Sequence, residues 1–306
     1  MANTAPYRIK TISEFHRLRG LPKPLHPLIS VVNMEDVDHE SSKRLNTWIL
    51  DFYSISIKKA LNIKYKYGQQ EYDFTEGVMF FMAPHQVFGI AGPNDPSNRP
   101  TGWILLIHPD FLWNTSLAKT IRKYEYFDYS VNEALFLSDK EQATITSIIH
   151  NIQAEYNANI DKFSQDIIIS QIETLLNYSE RFYHRQFITR KKANHQVLDS
   201  LEKLLTDYFN SEDQLKNGIP TVQFISDSLN ISPSYLRSLL KVLTGQSTQQ
   251  HIHEKLIEKA KEKLSTTSLS VSEIAYELGF EHPQSFSKLF KTKTNVSPLE
   301  FRQSFN

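Results

Sequence analysis

In the last third of the chain, the apolar positions follow a pattern that is written twice. Val222, Ile225, Leu229 and Ile231 recur forty-nine positions later as Val271, Ile274, Leu278 and Phe280, with Ser226 over Ala275 and Asn230 over Gly279. After a one-residue insertion the offset becomes fifty, and Ser234, Leu236, Leu239, Lys241 and Thr244 fall over Gln284, Phe286, Leu289, Lys291 and Thr294. Apolar residues three and four apart predict amphipathic helices, so each copy reads as helix, turn, helix. Between the copies, Ile252, Leu256, Ala260 and Leu264 form one stripe over residues 248–264. That stripe predicts a single spacer helix, roughly 25 Å long at about 1.5 Å per residue.

The polar and small residues punctuate this pattern. Asn230 and Gly279 follow the first helix of each copy, and Gly245 and Asn295 follow the second; all four are types that tolerate the left-handed conformation of a sharp helix end. Pro233 and Pro283 stand where the second helix starts, at a position whose missing N–H costs nothing. Ser247 with Gln250, Ser270 with Glu273 and Ser297 with Glu300 have the spacing of capping boxes.

Upstream, the period changes. TWILDFYSISI (47–57), LNIKYKY (61–67), VMFFMAP (78–84) and GWILLIHPDFL (102–112) are rich in β-branched and aromatic residues, with turn signals between them. Short strands this close together predict a small antiparallel barrel or jelly roll. Ahead of them, residues 1–44 contain PKPLHP at 22–27 and predict an extended arm. From Ser138, with Glu141 completing a capping box, helical periodicity predicts helices over 139–157 and 162–184. The second is apolar over a wide arc. Either it is sandwiched between the barrel and a neighbouring helix, or part of it pairs with the same helix of a second subunit. HQVLDSLEKLLTDYFN predicts a further helix over 195–210.

Two helices joined by a three- or four-residue turn form a helix-turn-helix, whose second helix enters the DNA major groove with its first residues against the base edges. Two copies predict two such helices, held about one DNA turn (roughly 34 Å) apart by the spacer. Ile225, Leu229, Leu236, Leu239 and Leu240 in the first copy, with Ile274, Leu278, Phe280, Phe286, Leu289 and Phe290 in the second, are expected to form the core. The polar residues between them are the candidates for base contact: Ser234, Tyr235, Arg237 and Ser238 in the first copy, Gln284, Ser285, Ser287 and Lys288 in the second. Arg237 suits a bidentate contact to guanine and Gln284 one to adenine. Lys241, Lys291 and Lys293 are expected to contact phosphate.

Residues 195–304, and IAYELGFEHPQSFSKLFKTKTNVSPLEFR above all, resemble the DNA-binding domain of the AraC/XylS family of bacterial transcription regulators. Ser226, Asn295 and Leu256 stand where that family commonly has alanine, glycine and arginine. The strand-rich region is more weakly similar to the cupin-type sensor domain that precedes it in many members. The resemblance implies double-stranded DNA as partner, RNA polymerase if the protein activates, a small-molecule effector, and a homodimer formed through helices 139–157 and 162–184.

Composition and charge refine this reading. The chain of 306 residues is long enough for about two domains. It has no cysteine, which excludes disulfides and thiolate metal sites. No signal-like or membrane-length apolar run is found, so a cytoplasmic location is expected. Net charge is zero, yet Arg181, His184, Arg185, Arg190, Lys191, Lys192 and His195 form an acid-free run, read as a basic linker over 185–194 that is solvated or reaches phosphate. His85 and His108 are not paired as metal ligands, and His251 with His253 would face different sides of a helix, so neither a metal nor another cofactor is expected. No motif for catalysis is present, and the protein is not expected to be an enzyme. Trp48, Tyr65, Phe80, His85 and Trp103 are candidates for an effector pocket.

The expected fold is thus α+β in two domains. An arm (1–44) leads into a cupin or jelly-roll barrel with flanking helices (45–184), then the linker and an all-α domain with two helix-turn-helix motifs joined by a linker helix (195–306). The expected function is an effector-responsive activator. The alternatives are a barrel that only dimerises, and a cupin enzyme or sugar-binding domain tethered to DNA.

Overall fold

A computed structural model describes residues 6–38, 47–59, 61–67, 70–74, 77–89, 101–130, 133–158, 161, 163–189, 191–211 and 213–304. The chain divides into two compact units, Met1–Gln186 and Phe187–Asn306.

In chain order the first unit contains β1 (Tyr7–Ile9), α1 (Ile12–Leu18), β2 (Ile29–Asn33), β3 (Thr47–Leu50), β4 (Tyr53–Lys59), β5 (Leu61–Tyr67), β6 (Gln70–Phe74), β7 (Gly77–Met82), β8 (Val87–Gly89), β9 (Thr101–Ile107), the single-turn α2 (Leu117–Thr120), β10 (Leu135–Leu137), α3 (Asp139–Asn157) and α4 (Ser164–Thr189). α4 runs three residues past the division between the units.

The described strands form sheets of five (β10-β7-β4-β9-β2), three (β1-β3-β8) and two (β5-β6). A closed barrel is not seen among them. Every pairing is antiparallel except β1 with β3, which is parallel. At Gly102, φ is +127°, and a Cβ there would lie 2.1 Å from the Ile57 carbonyl oxygen, so only glycine lets β9 run beside β4 at this point.

One face of the five-stranded sheet packs against α3, α4 and the segment around Tyr126. Phe81 lies 4.5 Å from Tyr126 between ring centroids and 6.2 Å from Tyr183. The Tyr126 hydroxyl donates to the Leu176 carbonyl (2.9 Å). The capping box at Ser138 and Glu141 starts α3 as the sequence predicts.

Two expectations for this unit are corrected. The predicted arm contributes β1 to the three-stranded sheet and β2 to the five-stranded one, and Ile9, Ile12, Phe15, Ile29 and Val32 are all buried. The predicted basic linker is helical wherever it is described. α4 continues to Thr189, and Arg185 is held by Glu141 (2.7 Å) and the Phe136 carbonyl (2.6 Å), so it is not available to phosphate.

The second unit is all helical: α5 (Lys191–Asn210), α6 (Asp213–Asn217), α7 (Val222–Leu229), α8 (Pro233–Thr244), α9 (Thr248–Thr266), α10 (Val271–Glu277), α11 (Pro283–Thr294) and α12 (Pro298–Gln303). α5 begins four residues earlier than its apolar pattern, and the buried Asn194 side chain donates to the Phe187 carbonyl near its start. The spacer α9 buries Ile252, Leu256, Ile257, Ala260 and Leu264, and contacts α8 of the first motif as well as α10 and α12 around the second.

Candidate nucleic-acid interface

Each motif is shaped by its turn. Asn230 (φ 55°) and Gly279 (φ 85°) adopt the left-handed conformation that ends the first helix. Ile231 N–H then returns to the Ser226 carbonyl (3.1 Å), and Phe280 N–H to that of Ala275 (3.0 Å). Pro233 and Pro283 open the second helices, which end at the left-handed Gly245 (φ 74°) and Asn295 (φ 64°). All three capping boxes form. Asparagine and glycine therefore do the same work at equivalent positions.

Beneath each motif lies a core of different composition. The first is aliphatic, with Ile225, Leu236, Leu239 and Leu240 buried. The second is aromatic: Phe280, Phe286, Phe290 and Phe301 form a chain of ring contacts 5.5–5.8 Å apart. Burying such a side chain contributes about 1.5–3 kcal/mol, and these contacts fix the tilt of α11 on its partner helix.

The polar face comes from the remaining positions. Arg237 on α8 and Gln284, Ser285 and Lys288 on α11 are exposed, while Ser234, Ser238 and Ser287 are partly exposed. Tyr235 is a correction. It is buried and packs edge-on against Phe187 at 5.2 Å, so it faces the domain interior rather than a groove. Its counterpart Ser285 remains outside.

Lys241, Lys291 and Lys293 are exposed. The Lys241 ammonium donates to the Gly245 carbonyl (3.0 Å), closing its own helix end. His282, at the start of α11, was not singled out from the sequence. It is exposed and its side chain caps no N–H of the helix, whereas the side chain of the equivalent Ser232 accepts from Tyr235 N–H (3.2 Å). The break in the repeat at this position was the available signal.

The spacer is tied to the second motif by Lys263 and Glu277 (2.6 Å) and by Arg302, which donates to the Leu264 carbonyl (3.3 Å). His251 meets Thr244 and His253 meets Gln249, so the two imidazoles have separate partners. Among the described residues, no group of three or more metal-ligating side chains comes together.

Among the described pocket candidates of the first unit, Trp48 and Phe80 border one interior, while Trp103 and His85 lie elsewhere. Trp48 is core of the three-stranded sheet, and Phe80 lies on the inner face of the five-stranded sheet. Trp103 lies on the opposite face, against His150 (5.5 Å). His85 is an exposed turn residue (φ 71°) beside Asp51 (3.2 Å). The side chain of Tyr65 lies outside the described residues.

Two helix-turn-helix motifs bridged by one helix define a class of DNA-binding domain. Residues 225–304 match the family model described as a helix-turn-helix domain. An HTH-type transcriptional regulator in the cgkA 5' region of Pseudoalteromonas carrageenovora is 34% identical over 110 residues, 36% of this chain and 60% of that protein. The HTH-type transcriptional regulator YfiF of Bacillus subtilis is 26% identical over 249 residues, 79% of this chain and 73% of that one. The arabinose operon regulatory protein of Salmonella typhimurium is 28% identical over 127 residues, 42% and 44% of the two chains. The chain spans less than two thirds of the length of the first curated relatives it matches. The C-terminal unit is a helix-turn-helix domain of the AraC/XylS type.

Proposed function

We propose that this protein is a sequence-specific DNA-binding transcription regulator of the AraC/XylS type, an activator whose first unit binds a small effector and dimerises through α3 and α4. The observation that carries the DNA reading is the matched pair of second helices. α8 and α11 start at equivalent prolines, bury Leu236 and Leu240 where α11 buries Phe286 and Phe290, and leave the equivalent Lys241 and Lys291 outside, differing at Tyr235 over Ser285. Arg237 reads guanine and Gln284 reads adenine, with His282 and Lys288 beside them, while Lys291 and Lys293 neutralise phosphate. The HTH-type regulators among the relatives support regulation as the outcome of binding.

The effector acts by favouring one arrangement of the dimer, changing which half-sites it spans. RNA polymerase is then the partner at the promoter, and the cytoplasm is the place of action. No helix in the described residues is long and apolar enough to cross a membrane. Selection from a random pool of duplex DNA by the full chain tests the reading. A recovered motif with two short blocks about one helical turn apart is expected. Recovery of no motif at physiological salt would remove it.

A further inference from the structure

In β4, the alternation that places Ile55 and Ile57 on one face of the five-stranded sheet places Ser54, Ser56 and Lys58 on the other. The register sets these three opposite Leu106, Ile104 and Gly102 of β9, and opposite Met82, Phe80 and Val78 of β7. This is the inner face. Its Leu106 and Val32 pack with Trp48, Leu50, Phe15 and Phe52 in a single core. Such a face is normally apolar throughout.

Two cations enter this interior. The Arg19 guanidinium lies 4.0 Å above the Trp48 ring, and the Lys58 ammonium lies 5.2 Å from the centre of the Phe80 ring. Burial holds Arg19 down at about 10, and burial, with the neighbouring Arg19 charge, holds Lys58 down at about 8. No carboxylate among the described residues forms an ion pair with either. Asp38, next in space to Arg19, meets it through the backbone, donating its N–H to the Arg19 carbonyl (2.9 Å). Arg19 Nε and Trp48 Nε1 are both buried without an acceptor.

Two like charges and two orphan donors in one apolar interior are costly unless an anion completes them. The surrounding side chains, Phe80, Met82, Ile104 and Trp48, suit an apolar body rather than a sugar, which would bring hydroxyls that need partners. We propose that the inner face of the five-stranded sheet binds a small organic acid, its carboxylate held by Lys58 and Arg19 and its apolar body lying along Phe80, Met82 and Ile104. This deepens the reading of the first unit as an effector-binding module and rests on it. The acid fills the place of the missing counter-charge, so its binding orders the sheet interior.

Isothermal titration of the full chain with octanoate tests the assignment, with octanamide as the neutral equivalent and inorganic phosphate as an anion without an apolar body. Saturable binding of octanoate alone is expected. Lys58→Met should weaken it by about tenfold or more through loss of a charge-assisted hydrogen bond. The same variant should be at least as heat-stable as the parent without ligand, because it removes a buried charge. Lys58→Gln and Arg19→Met are read beside it, so misfolding of one variant leaves the question answerable. Absence of octanoate binding, equal binding of octanamide or phosphate, or unchanged affinity in every folded variant would overturn the site. A chain that selects a DNA motif yet fails to bind octanoate would keep its DNA reading and lose only this one.

Discussion

Gly279 packs directly on Gly218. A Cβ built on Gly279 would lie 2.7 Å from the Gly218 carbonyl carbon and 3.0 Å from its Cα, and both glycines have positive φ. The Gly218 carbonyl also accepts from the Tyr208 hydroxyl (2.9 Å), so the backbone that would be displaced is anchored. The first motif makes no such approach, and asparagine serves there at position 230.

Gly279→Ala should therefore destabilise the second unit by about 2–4 kcal/mol, combining left-handed strain with a backbone clash. Gly245→Ala should cost only about 1 kcal/mol, since φ is similar and nothing lies within 4 Å of its Cβ position. Chemical denaturation of the two variants side by side is the check. Equal losses would show that the clash relaxes freely.

Ser226 is buried with its hydroxyl unpartnered, whereas Ala275 occupies the matching place in the second motif. Ser226→Ala should raise stability by about 1 kcal/mol, because an unsatisfied buried hydroxyl carries a desolvation cost and the methyl fits the same space. A lowered denaturation midpoint would mean that the hydroxyl has a partner in solution.

Arg237 and Lys291 are expected to fail differently. Arg237→Ala should cost about 1–3 kcal/mol on the selected motif and relax preference at one base pair. Lys291→Ala should weaken selected and random duplexes alike and reduce the salt slope by about one unit. Binding titrations on both duplexes across a salt series separate the two; parallel losses in both variants would refute this division of labour.

His16 is buried, and burial pushes its imidazole below the ordinary histidine value, opposed by the bond to the Pro22 carbonyl. A carbonyl only accepts, so Nδ1 carries the proton and Nε2 accepts from the Ser30 hydroxyl (2.9 Å). The unfolded chain then binds the proton more readily than the folded one. Stability of the first unit should fall as pH drops below about 6.5, and hold above it. Urea denaturation at pH 7.5 and 5.5 should show a larger drop for the parent than for His16→Gln; identical drops would assign the pH effect elsewhere.

The second unit was legible because its signals are local. A left-handed residue, a proline and a serine with its glutamate each act within one turn of helix, and the repeat sets them in register. The first unit depends on contacts between residues far apart in sequence. β1 is three residues long and pairs in parallel with β3, so neither length nor alternation marks it in the sequence, where the buried Ile9, Ile12 and Phe15 read as part of an arm. Tyr235 escaped for a related reason. It sits among polar residues that do face outward, and the ring it packs on, Phe187, lies forty-eight positions earlier.

That same tyrosine makes the two readers unequal. With its ring packed on Phe187, α8 exposes fewer side chains at its start than α11, which keeps Ser285 and His282 outside. On the proposed reading, one block of the operator should tolerate substitutions that the other rejects, so the information content of the site is lopsided within a single protomer's footprint.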